Sequence, residues 1–147
     1  MRRRAALCLA LAAGACITAA DAAETLAHGR FTKIAVYRPA AEPKQFVLFL
    51  SGENGATPNL AEAALALTHE GAMVALVNTP ELLASLEADA ARCTSPDGDL
   101  ENLSRYVQAY YRLPSYMTPI LIGYSSGATF AYAMISQAPA DLFAGAV

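Results

Sequence analysis

Apolar positions in this chain fall into short unbroken runs, separated by stretches in which they recur every three or four residues. Gln45 to Leu50 (QFVLFL) is apolar on both faces and is closed by Ser51-Gly52-Glu53-Asn54-Gly55. A short run of that kind, bounded by turn residues, predicts a buried parallel strand. Ala72 to Asn78 (AMVALVN) and Thr118 to Tyr124 (TPILIGY) read the same way, and Leu142 to Val147 (LFAGAV) predicts a fourth. Before them, GRFTKIAVYRP alternates only in part, at Phe31, Ile34, Val36 and Pro39. This predicts an edge strand.

The intervening stretches carry helical spacing. Pro58 and Asn59 can start a helix whose face holds Leu60, Ala63, Ala64 and Leu67, and Gly71 can stop it. Leu82, Leu83 and Leu86 mark a second helix in TPELLASLEADAARC. The next stretch, TSPDGD, predicts a loop, with Asp99 capping the helix LENLSRYVQAYYR that must end before Pro114. Gly127 to Ala138 is apolar nearly all round and predicts a buried helix. Strands alternating with helices, each strand apolar on both faces, give an α/β domain: a parallel sheet with crossover helices.

Candidate chemistry sits where the third buried strand meets the last helix, at Gly123-Tyr124-Ser125-Ser126-Gly127. A G-x-S-x-G pattern alone recurs by chance in roughly one chain in twenty of this length, so context must decide. Here an apolar strand precedes and a helix follows, as a nucleophile elbow requires. Gly123 and Gly127 supply the small residues needed where strand and helix close up around the serine. Ser125 is then the candidate nucleophile, and a structural turn is the alternative. An oxyanion hole needs two backbone N–H donors, and Ser126 fits the first. The loop after Gln45–Leu50 offers the second, from Gly52 or Glu53, although an ordinary turn would have the same composition.

Composition bears on compartment and partners. At 55% hydrophobic and 16% charged residues, the 147-residue chain suits one compact domain and not a disordered one. Residues 1–23, MRRRAALCLALAAGACITAADAA, have the layout of a secretory signal peptide: arginines, an apolar stretch, and Ala20-Asp21-Ala22 as a cleavage site. The apolar stretch, roughly 16 residues, falls short of the ~20 that span a bilayer. The domain expected is thus 24–147, in the periplasm. Loss of the segment takes the formal net charge from −3 to −5, which disfavours nucleic acid as a partner. Cys8 and Cys16 leave with it, and Cys93 is left as a free thiol or half of a bridge. With one such cysteine, and His28 and His69 in unrelated segments, no metal site can be assembled, and no cofactor is indicated.

Taken together, FVLFLSGENG, GDLENLSRYVQAYY and above all YMTPILIGYSSGATFAYAMISQAP resemble the virulence proteins of the VirJ and AcvB type. The resemblance runs roughly from Lys44 to Val147 and matches the first half of that family's domain. Where the family carries an Asp-Gly-Gly-Trp-like stretch after Leu-Ser-Gly, this chain has Glu53-Asn54-Gly55-Ala56, which keeps the backbone donors and changes the side chains. The resemblance implies an α/β-hydrolase fold and an exported, periplasmic protein linked to envelope function or type IV secretion. It further implies a serine hydrolase that removes lysine from lysyl-phosphatidylglycerol, with peripheral membrane contact and secretion-system proteins as compatible partners. Ser125 would attack the aminoacyl ester carbonyl while Ser126 N–H helps to hold the oxyanion.

The activating groups are the difficulty. In this fold the acid and then the histidine follow the serine, and after Ser125 the chain has Asp141 and no histidine. Asp141 comes too early for the usual acid; His28 lies near the start of the domain, and His69 ends a helix. Loss of a triad member costs a factor of ~10⁴ or more. The expectation is a C-terminally incomplete domain that is inactive alone. The alternative is a non-catalytic periplasmic adaptor that keeps the fold without the chemistry.

Overall fold

The computed structural model describes residues 23–89 and 95–147. The expected signal segment, apart from Ala23, and Cys93 lie outside the described residues. Six strands form one sheet: β1 Glu24–His28, β2 Phe31–Tyr37, β3 Gln45–Leu50, β4 Ala72–Val77, β5 Ile120–Gly123 and β6 Gly145–Ala146. Four helices join them: α1 Pro58–His69, α2 Thr79–Ala88, α3 Pro96–Tyr110 and α4 Ser126–Gln137. The strand order is β1-β2-β4-β3-β5-β6. β4, β3, β5 and β6 run parallel, whereas β1 and β2 form an antiparallel hairpin on the β4 side. The sheet is therefore mixed rather than wholly parallel.

Both faces of the central strands are covered, which explains their unbroken apolar runs. Phe46, Leu48 and Leu50 of β3 and Met73, Ala75 and Val77 of β4 face one core, with Leu82 of α2, Leu100, Leu103 and Val107 of α3, and Ala131 and Met134 of α4. Val47, Phe49, Ala72, Val74 and Leu76 face the other, under Leu60 and Ala64 of α1. Each fully buried aliphatic side chain contributes about 1.5–3 kcal/mol, so these two layers dominate the stability.

Three expectations need correction. Phe31–Tyr37 is not an edge strand, because β1 pairs along it and takes the edge. Helix α3 begins at Pro96, inside the expected loop, so Asp99 is in its first turn and does not cap it. Proline at the helix start has no N–H to leave unbonded and a φ already set for a helix. Asp99 instead accepts from Arg30 Nε at 2.6 Å, while Arg30 Nη1 reaches Asp89 at 2.6 Å. Lastly, α4 is not buried all round: Gly127, Ala131 and Met134 meet the core, and Tyr132 is 73% exposed. The expected fourth strand forms over Gly145–Ala146, with Ala144 N–H bonded to Pro119 O at 2.9 Å just before it.

Candidate active site

The β5–α4 turn is held by backbone contacts on both sides. β3 and β5 pair in parallel register, with Leu50 opposite Gly123. Past the strand end, Tyr124 N–H donates to Leu50 O at 3.0 Å. The chain then reverses: Gly127 N–H bonds Tyr124 O at 2.9 Å and Ala128 N–H bonds Ser125 O at 3.0 Å, the first links of α4. Ser125 itself has φ +54° and ψ −122°, a combination that side-chain-bearing residues rarely adopt and that costs of order 1–3 kcal/mol. The packing around it enforces that conformation.

The two flanking glycines show how tight the fit is. A β-carbon on Gly123 would run into the backbone of Gly127 and Ala128, and one on Gly127 into the carbonyls of Leu50 and Ser51. Helix α4 thus sits directly on the end of β3. Ser125 is exposed at the carboxyl ends of the parallel strands, beside the start of a 12-residue helix whose dipole favours negative charge there.

The β3–α1 loop is the second wall. Ser51 is fully buried; its N–H bonds Val77 O at 3.1 Å and its Oγ accepts Thr79 N–H at 3.0 Å. These bonds tie the ends of β3 and β4 together and fix where the loop departs. Gly52 passes close to the elbow, so that an added β-carbon would lie 3.1 Å from Ser125 Cβ. Gly52 then turns on a bond from Gly55 N–H to its carbonyl at 3.0 Å, with Gly55 at φ +70°. Glu53, at the tip, faces Ser125. Ser125 Oγ donates to Glu53 Oε2 at 2.8 Å and Ser126 Oγ to the same oxygen at 3.2 Å. Hydrogen bonds from its own backbone N–H, then from the hydroxyls of Ser125 and Ser126, hold the Glu53 carboxyl below the usual carboxylate range.

A cavity of about 530 Å³ opens beside this loop, lined among others by Phe49, Glu53, Thr57, Leu60 and Tyr124. Its walls combine apolar side chains with the Glu53 carboxyl and a few neutral polar groups, the mixture usual in small-molecule sites.

All six sequence-predicted site residues, Ser125, Ser126, Gly123, Gly127, Gly52 and Glu53, are gathered here. The histidines are not. His28 is on β1, four strand spacings from β5 or roughly 19 Å across the sheet, where its ring stacks on Tyr106 at 4.0 Å. His69 is the last residue of α1, which runs back from the strand ends that carry Ser125. Asp141 follows α4, on the rim opposite Ser125. Sequence reasoning missed the Glu53 side chain, having weighed only its amide.

No family model and no curated protein matches this chain. Among solved structures, a highly thermostable carboxyl esterase from Bacillus coagulans in complex with glycerol is similar with a TM-score of 0.59. The identity is 19%, over 85% of this chain and 43% of the esterase. A lipase in its open form is similar with a TM-score of 0.55 and 17% identity, over 78% of this chain and 38% of the lipase. The chain spans less than half the length of either. Neither likeness bears on the VirJ and AcvB type in particular. What they and the strand order do establish is a fold of the α/β-hydrolase type.

Proposed function

We propose that this chain carries the nucleophile and oxyanion hole of a serine hydrolase acting on esters. The observation that carries the reading is Ser125: an exposed serine at positive φ between a parallel strand and a helix, wedged by glycines that admit no β-carbon. Backbone strain of this order clusters at active sites. The Ser126 N–H and that of Glu53 are the oxyanion donors in this reading, with Gly52 shaping the approach. An oxygen leaving group needs less acid assistance than an amine, which favours esters over amides. The finer reading follows the sequence resemblance: a periplasmic enzyme of the VirJ and AcvB type, cleaving an aminoacyl ester such as lysyl-phosphatidylglycerol.

Without a histidine at Ser125, the chain alone turns over slowly. The hole and the binding surface still leave about 10³-fold of residual rate enhancement in such sites. Prolonged treatment with a fluorophosphonate should therefore modify Ser125 well ahead of the exposed Ser115 and Ser136, and Ser125→Ala should abolish the adduct. Modification spread evenly over these serines sinks the proposal. The second reading, a non-catalytic adaptor, draws on the distance of both histidines from Ser125, and even modification is its expected result.

A further inference from the structure

Two serine hydroxyls from the elbow converge on a single oxygen of Glu53, a residue 72 positions earlier in the chain. The backbone N–H groups of Glu53 and Ser126, the pair that would hold a tetrahedral oxyanion, also act to lower its pKa. An anion thus already lies against the nucleophile, beside the helix start that would face a developing oxyanion. We infer that Glu53 is a built-in occupant of the oxyanion hole, a carboxylate that caps Ser125 in the resting protein and must swing out before a substrate carbonyl can enter.

The inference rests on Ser125 being the nucleophile, and it departs from the simplest alternative, that Glu53 is the missing base. Donors that favour the charged carboxylate make it a weaker proton acceptor. Moreover, a base lying across both elbow hydroxyls would obstruct the very carbonyl whose attack it should assist. The surroundings permit the swing. Glu53 is exposed at the tip of its loop and borders the 530 Å³ cavity. The hydroxyls of Ser125 and Ser126 face it, and the cavity beside it is lined from the elbow by Tyr124 and from α1 by Pro58, Asn59, Leu60 and Ala63, none charged. Among the described residues no cation pairs with Glu53, so the carboxylate is held by hydrogen bonds that an incoming carbonyl can replace.

Carboxyl-detected NMR on the full chain tests this directly. On acidification, Glu53 should titrate below the ordinary glutamate value of about 4.3, with the amide protons of Glu53 and Ser126 shifting at the same midpoint. Glu53→Gln should remove that shared response. Titration at the ordinary value with both amides unmoved overturns the inference. A second arm uses the fluorophosphonate: Glu53→Ala should modify Ser125 about tenfold faster than the parent, as expected when charge-assisted bonds to the site are removed. An equal rate overturns the cap, and a slower one makes Glu53 the base. If neither protein is modified at Ser125, the hydrolase reading fails and the NMR midpoint alone decides whether the carboxylate occupies the hole.

Discussion

Glycine serves two different ends in this chain, and substitution can separate them. Gly127 is constrained by space: a methyl group there meets the carbonyl oxygens of Leu50 and Ser51, which cannot move without moving β3. Gly29, in the β1–β2 turn, has φ +56° and nothing within 4 Å of the added carbon, so its constraint is conformational alone. Gly29→Ala should cost about 1 kcal/mol. Gly127→Ala should cost more, about 3 kcal/mol or beyond, and should disturb the elbow. Urea denaturation midpoints rank the two. Equal losses would mean that the contact of α4 on β3 is looser than the structure has it.

Among the elements, α3 fixes the chain just before β5. Its Gln108 is buried; Nε2 donates to Met117 O at 2.8 Å while Oε1 accepts Met117 N–H at 2.8 Å, and Ser104 Oγ completes the set at 3.0 Å. One side chain thus stands in for a strand partner and hands the chain into β5. Gln108→Leu keeps the volume but leaves both Met117 backbone groups unpaired, so a loss of about 1–3 kcal/mol in thermal or urea unfolding is expected. Gln108→Glu sets a buried carboxyl oxygen against Met117 O, so at neutral pH it should lose at least as much, and recover part of the loss on acidification. The sequence disclosed elements best where one residue pattern had one physical cause. β3 and β4 were legible because burial on both faces requires an unbroken apolar run, and α1 ended where Gly71, at φ +90°, permits the reversal. β1 was not, since Glu24–His28 buries only Leu26 and is held by backbone pairing to β2. The exposure of α4 was equally hidden, because an apolar helix does not say which stripe meets the sheet. The stripe is Gly127, Ala131 and Met134.

Across the whole molecule, acid should be the weak side. Glu24 accepts from Tyr110 and Tyr111, each at 2.7 Å, and these bonds hold its carboxyl below the ordinary range, as its own backbone N–H and then the elbow hydroxyls do for Glu53. With folded values below unfolded ones, the native state binds fewer protons, so this stabilisation is complete above about pH 4.5 and is lost as pH falls through the folded values. The melting temperature should drop over that window, and Glu24→Gln should flatten the drop. A profile unchanged by Glu24→Gln would remove the tie between β1 and α3 as a contributor. The same scale explains what the sequence kept back about the site. The elbow was legible because Gly123 to Gly127 are adjacent in the chain, whereas Glu53 meets Ser125 only through the pairing of Leu50 with Gly123.

The seating of Gly127 on the carbonyls of Leu50 and Ser51 carries one more consequence. It welds the serine's mount to the stalk of the neighbouring loop, so the two travel as one block however the side chains at the tip are exchanged. Positions 53, 54 and 56, all exposed, can then be rewritten to admit different guests without the hydroxyl losing its aim. Selectivity in this architecture is free to drift while its geometry stays put.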